Sequence, residues 1–380
     1  MENQNQEMTG ASVAVNEQQP ALKRTLSEEN SKKINALRIV LMLLVLFGHN
    51  NYKADTVGAD MIFNQSVFGK WVQCFISDGL ARGAVPVFFI TAAFLLFFKK
   101  TSYGVLLKKK SKSLLLPFLL WPVVNMVFYA VLKFAGDVTG IGLLSGIGNY
   151  DFLAWSPKEW FGCFFGYVGN GTLYLTHFWF LRDLIVLTIL SPVLGFIYEK
   201  AKFLFIIFII YVEFVGLFPY IVMPESLFYF SLGMIFAKDD IDFFGIVKKL
   251  HWYELIPVFL VLWLYYWKVQ APYPTAQLML MAFVSAVMLI KFSEVLIMND
   301  RVYSVLAYLA KYSFFLYAVH IKILRSIIRT VWVKVFPMTN GFMCLAEYFG
   351  VTILMATCGI GLGIALKKFC PKLFDLLNGR

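Results

Sequence analysis

The sequence contains none of the short signatures that mark soluble catalytic sites. There is no GxSxG, no HExxH, no phosphate-cradling GKS or GKT loop and no GxGxxG opening a βαβ unit. Hydrolases of the α/β kind, zinc proteases, P-loop NTPases and dinucleotide-binding enzymes are thereby excluded. Cysteine is scarce: Cys74, Cys163, Cys344, Cys358 and Cys370 form no CxxC pair, and their odd, scattered count fits neither a disulfide framework nor a zinc site. Only Cys74 and Cys163 fall in segments expected outside the membrane, and a bridge between them is not expected. Charge is low as well, at 15% of residues against roughly a quarter in soluble domains. What charge there is leans basic, with 34 Lys and Arg against 23 Asp and Glu and a net +11. On an apolar chain such an excess reflects membrane topology and anionic lipid, so no nucleic-acid partner is expected. No internal repeat of fixed period is apparent, which argues against a transporter built from inverted halves.

What fills the chain instead is apolar side chain. Of 380 residues, 59% are hydrophobic and 18% aromatic, and the mean hydropathy is +0.71. The fold class that follows is all-α: a polytopic membrane helical bundle of about ten transmembrane helices. The spans are expected at 34–51, 80–98, 113–133, 173–198, 203–220, 226–237, 254–267, 275–290, 302–328 and 342–366. The sixth is short for a crossing. Residues 1–33 are polar, lack the apolar region of a signal peptide and read as a disordered cytoplasmic tail, with Thr25 and Glu28 as a possible capping box. Residues 34–368 form the membrane domain, and 369–380 a cytoplasmic C-terminal tail. The glycine-containing stretch 134–172, with Trp155 and Trp160, reads as an external, partly membrane-skimming segment. The basic residues of the N-terminal tail, the run Lys99 to Lys112 and the group Lys367 to Arg380 fall on one side of this arrangement. The positive-inside rule makes that side, with both termini, cytoplasmic.

The first span organises the rest. INALRIVLMLLVLFGHNN carries Arg38 at one end and His49 at the other, 11 residues apart, which is three helical turns plus about 20° and about 16 Å along the axis. The two share a face. Ionisable groups at membrane depth usually line a cavity or meet a partner, although an arginine at a helix end also snorkels and a histidine also sits in the interface. Arg82, beside VPVFFI at the external end of the second span, needs a counter-charge or an anionic ligand. His177, Arg182 and Asp183 fall in the fourth span, where Arg182 and Asp183 read as a structural ion pair. In KYSFFLYAVH, Ser313, Tyr317 and His320 share a face that Lys311 does not. An imidazole is suited to take a proton from a hydroxyl near neutral pH, which singles out His49 and its neighbours.

Taken in order, these patterns resemble the integral-membrane acyltransferase family 3. Ala36-Leu37-Arg38 followed by His49 matches its first helix, and Val85-Pro86-Val87-Phe88-Phe89 with Phe94-Leu95-Leu96 its second. The basic run from Lys108 to Pro117 matches the opening of its third, Trp179-Phe180-Leu181 its fourth, and Ser313 to His320 a late helix. The resemblance covers roughly residues 30–330. It implies O-acyl transfer, with acetyl the expected group and succinyl the alternative, from cytoplasmic acyl-CoA to a hydroxyl of a cell-surface or lipid-linked glycan. His49 is then catalytic, as a general base or as a transient acyl carrier, and Arg38 binds the donor. Arg82, Trp179, Ser313, Tyr317 and His320 support the site or bind the acceptor. The implied partners are acyl-CoA, the glycan or lipid-linked oligosaccharide and membrane lipids; acyl-CoA is a co-substrate, no cofactor or metal is expected, and the place is the bacterial inner membrane. No fused esterase-like domain is expected. Three positions depart from the family pattern: Asn35 replaces its acidic residue, Ala92-Ala93 its Ser-Gly, and Ser113 its basic residue before Pro117. The competing class is a glycan transporter or flippase, which would also need buried cations and aromatic spans.

Overall fold

A computed structural model of the chain describes residues 26–51, 66–99, 101–142, 155–165, 173–217, 222–269 and 276–380. Among these there are helices and connecting turns and no strand. The helix α1 is Glu28–His49, so the membrane helix begins inside the segment expected as a tail. Thr25 lies outside the described residues; the cap is Ser27, whose hydroxyl accepts from Asn30 N at 3.2 Å. Lys33, which reads as tail charge, is buried beside Glu29 at 2.7 Å and Glu294 at 3.8 Å.

The helices that follow are α2 (Val67–Phe98), α3 (Tyr103–Thr139) and α5 (Thr176–Lys200), with the short α4 (Pro157–Phe165) in the stretch expected outside. Then come α6 (Lys202–Val215), α7 (Pro224–Lys238), α8 (Phe243–Lys249) and α9 (Trp252–Val269). The chain closes with α10 (Ala276–Ile297), α11 (Asp300–Val335), α12 (Gly341–Phe369) and α13 (Pro371–Leu377). Each of the ten expected spans overlaps a helix among the described residues; 218–220 and 275 lie outside them. Six of the helices, α2, α3, α5, α10, α11 and α12, are long and apolar enough to cross a membrane by length and composition. The helix α1 carries Lys32, Lys33 and Arg38, and α6 and α7 have 14 and 15 residues, which keeps them outside that measure. Large apolar side chains stand exposed along the outer faces of α3, α5, α6 and α9, among them Val127, Phe196, Phe203 and Val261. Such a belt belongs against lipid.

The helix α1 is the wall between two cores. Ile34, Leu37 and Leu41 pack with α2, α7 and α10, whereas Ile39, Met42 and Leu46 pack with α3, α11 and α12. The tightest approach is α2 against α7, where a Cβ on Gly233 would sit 2.2 Å from the Ile90 carbonyl oxygen. Bare backbone at that point lets the two helices touch, as small residues do in membrane bundles. Beyond α7, Asp239 accepts from Lys202 Nζ at 2.8 Å and from the Tyr198 hydroxyl at 2.6 Å. These two bonds hold its carboxyl below the usual range and tie α5, α6 and α7 together. None of the five cysteines forms a disulfide, and Cys74 and Cys163 are buried on helices.

The segment 369–380, expected as a tail, is built into the bundle. Phe374 and Leu377 of α13 are buried, Trp121 Nε1 donates to the Leu377 carbonyl at 3.0 Å, and Lys367 pairs with Asp375 at 2.7 Å.

Candidate active site

The stripe that α1 presents between the two cores does not close against its neighbours. Arg38, Leu41, Met42, Val45 and His49 line one side of a cavity of about 420 Å³. Val85, Phe88 and Ala92 of α2 face it, as do His177, Trp179 and Phe180 at the start of α5 and Ser313 and Tyr317 of α11. The cavity runs from Arg38, Ser113 and Arg380 at one end to His49, His177 and Tyr317 at the other. The spacing read from the sequence, 11 residues on one helical face, thus places a cation and an imidazole about 16 Å apart on the wall of one space.

The His49 end is a cluster of three imidazoles from three helices. The His49 ring lies 5.2 Å from that of His320, which lies 4.7 Å from that of His177. His320 opens a π-helical turn, His320–Arg325, inside α11, a local widening often found at functional sites. Its Nδ1 stands 2.6 Å from the Tyr317 carbonyl oxygen. A carbonyl only accepts, so Nδ1 carries the proton and Nε2 keeps its lone pair. That Nε2 is buried with no hydrogen-bond partner among the described residues. The Tyr317 hydroxyl donates to the His177 carbonyl at 2.6 Å, and its ring stacks on Phe178 at 5.5 Å. Among the described residues, no group of three His, Cys, Asp or Glu has the arrangement of a metal site.

Three of the four hydroxyls that line the cavity are already committed, and the fourth, on Ser113, lies at the Arg38 end, away from the imidazoles. Thr91 donates to the Val87 carbonyl at 2.7 Å, Ser313 to the Ala310 carbonyl at 2.9 Å, and Tyr317 as above. A hydroxyl held by a carbonyl acceptor has no base to activate it, and position 92, where the family pattern has serine, is Ala92 on the cavity wall. The imidazoles are therefore the groups placed to move a proton.

Arg82 lies outside the cavity lining; its Nη2 stands 3.8 Å from Asp78 Oδ1, one turn back on α2. Trp179, Ser313 and Tyr317 line the cavity with Arg38 and His49, and His320 joins them through its ring contact with His49. Arg182 and Asp183 form an ion pair at 2.8 Å that also fixes α5. The second oxygen of Asp183 accepts from Met223 N at 2.9 Å and Ser226 Oγ at 2.7 Å at the start of α7. Two residues that sequence reasoning assigned no part are here. In the sequence His177 stands beside the ion pair five residues on, and its 143-residue separation from His320 gives no sign that the two rings meet. Arg380 stood in the expected tail.

Residues 31–366 match a family described as the acyltransferase domain. The chain belongs to this acyltransferase family. Over 173 residues the acyltransferase is also 28% identical to the succinoglycan biosynthesis protein ExoH of Rhizobium meliloti (strain 1021), a match covering 45% of this chain and 44% of that protein. No solved structure matches it.

Proposed function

We propose that this acyltransferase accepts an acyl group, acetyl in the first instance, from acyl-CoA at the Arg38 end of the cavity. It passes the group to a hydroxyl of a cell-surface or lipid-linked glycan at the His49 end. The observation that carries this reading is the single cavity lined by both Arg38 and His49. A guanidinium is a planar fork suited to phosphate, which acyl-CoA bears, and an imidazole is suited to the acceptor's proton. In the simplest course His49 takes the hydroxyl proton as the oxygen attacks the thioester carbonyl; the C–S bond breaks, CoA leaves as thiolate and then takes a proton. The glycan acceptor is supported by the resemblance to a protein of succinoglycan biosynthesis.

The same reading makes the protein a multi-pass protein of the inner membrane, with ten crossings, both termini in the cytoplasm and the Arg38 end of the cavity facing that side. The roughly 16 Å from Arg38 to His49 is about half the hydrocarbon thickness, so the donor reaches in from one face and the acceptor approaches from the other. The helices α6 and α7, about 21 to 23 Å long at 14 and 15 residues, cross where the bilayer thins locally.

The test is transfer from radiolabelled acetyl-CoA by the purified, lipid-reconstituted protein to an extracted surface glycan, with Arg38→Lys beside the wild type. Lysine keeps the charge and loses the fork. The apparent KM for acetyl-CoA is expected to rise by about tenfold with the maximal rate little changed. An unchanged KM removes Arg38 from donor binding, and no transfer at all removes the donor.

A further inference from the structure

The mouth of the cavity holds a second arginine that the first one does not explain. Arg380 lines the same cavity as Arg38, so two like charges face one space. Lys110 adds to the positive field around Arg38. Among the described residues no carboxylate stands within ion-pair distance of either arginine, although Lys33, Arg82, Arg182 and Arg329 each have one. Both residues are exposed.

The position of Arg380 is built. The helix α13 ends in a Schellman motif: Gly379 N donates to the Leu376 carbonyl at 3.2 Å and Arg380 N to the Asp375 carbonyl at 2.8 Å. Gly379 takes φ +65, and a Cβ there would lie 2.5 Å from both Cα and the carbonyl oxygen of Ser113. Only a glycine fits, by conformation and by space. Arg380 then lies over the Phe374 ring at 5.7 Å and donates from Nη2 to the Lys311 carbonyl at 2.7 Å. One nitrogen of the fork is anchored, and the rest of the guanidinium remains for another acceptor.

Bringing like charges together in a site with few acids costs free energy unless an anion sits between them. We propose that Arg38 and Arg380 form a two-arginine clamp for a phosphate-ester anion at the mouth of the cavity, with α13 as the strap that carries its second half. Phosphate esters come from two sources at such a place, the nucleotide end of a soluble donor and the headgroup of an anionic lipid. The donor assignment rests on the function proposed above, whereas the clamp itself does not.

Binding of inorganic pyrophosphate to the full-length protein in phosphatidylcholine nanodiscs tests the clamp without turnover. Loss of a charged hydrogen bond is worth roughly 1.5 to 3 kcal/mol, so Arg380→Gln and Arg38→Gln are each expected to weaken pyrophosphate binding by about tenfold or more. Arg380→Lys should restore part of the loss. Equal binding by wild type and a correctly folded Arg380→Gln overturns the clamp, whether or not the protein transfers acyl groups. Displacement of pyrophosphate by CoA supports the soluble donor as occupant. Displacement by phosphatidylglycerol added to the nanodisc, and not by CoA, keeps the clamp and overturns the donor. As a kinetic check on the donor assignment, Arg380→Gln should raise the KM for acetyl-CoA by a larger factor than the KM for an acetyl thioester of N-acetylcysteamine, which has no phosphate. Equal loss with both donors overturns the donor as occupant, and the pyrophosphate measurement decides the clamp.

Discussion

Replacing His49 by alanine is expected to lower acyl transfer at least about 100-fold while leaving a folded, membrane-inserted protein. The magnitude is that of a lost general base or nucleophile. The fold should survive because the side chain borders a cavity, and α1 ends instead on Asn50, whose backbone N–H bonds the Leu46 carbonyl and whose side chain donates to the Tyr348 carbonyl at 3.1 Å. Donor binding should be retained, since Arg38 lies at the far end of the same space. His320→Ala should cost less: His320 is not part of the cavity lining and meets it through its ring contact with His49. Transfer is measured at matched amounts of folded protein for both variants. More than about a tenth of wild-type turnover in His49→Ala exceeds what loss of such a group allows and leaves His49 as a bystander.

The largest stability effect is expected at Asp183. Its carboxylate is fully buried and takes hydrogen bonds from Arg182, Met223 N and Ser226. Asp183→Ala leaves a guanidinium, a backbone N–H and a hydroxyl without their acceptor in a low-dielectric interior. Breaking a buried pair in this way costs about 3 to 5 kcal/mol, a large fraction of the roughly 5 to 15 kcal/mol that stabilises a typical protein. These bonds hold the start of α5, which carries His177 and Trp179 into the cavity, so activity should fall with the fold. Asp183→Asn keeps an acceptor oxygen and should cost less. The measurement is the thermal midpoint of the detergent-purified variants; an Asp183→Ala midpoint equal to wild type would show that α5 and α7 hold together without this carboxylate.

The helices were legible wherever apolar side chains run unbroken, and each expected span overlaps one among the described residues. Their ends were not, because charge near a helix end is ambiguous. Lys33 reads as tail, yet Glu29 and Glu294 let it be buried; 369–380 reads as tail, yet Phe374 and Leu377 fill a gap beneath α12. For the site, the Arg38 to His49 stripe could be read because both residues lie on one helix and periodicity alone sets their relation. Trp179, Ser313 and Tyr317 came from local patterns and do meet that stripe. Arg82 stood out for the same reason, a cation beside an apolar run, but its relation to Asp78 is also local and takes it away from the cavity. The meeting of His177 with His320 and of Arg380 with Arg38 depends on packing between helices far apart in the chain, and no spacing in one dimension encodes it.

The central claim is that one cavity joins the donor end to His49, and obstructing it midway tests this most directly. Ala92 of α2 is on its wall with Leu41 and Val45 opposite, so Ala92→Trp would fill the passage and leave both Arg38 and His49 in place. Acyl transfer from radiolabelled acetyl-CoA and equilibrium binding of CoA are measured on the same folded preparation. The account predicts transfer reduced at least about 100-fold, as when reacting groups are kept out of reach, with CoA affinity within about twofold of wild type. Wild-type transfer with the passage filled would contradict it.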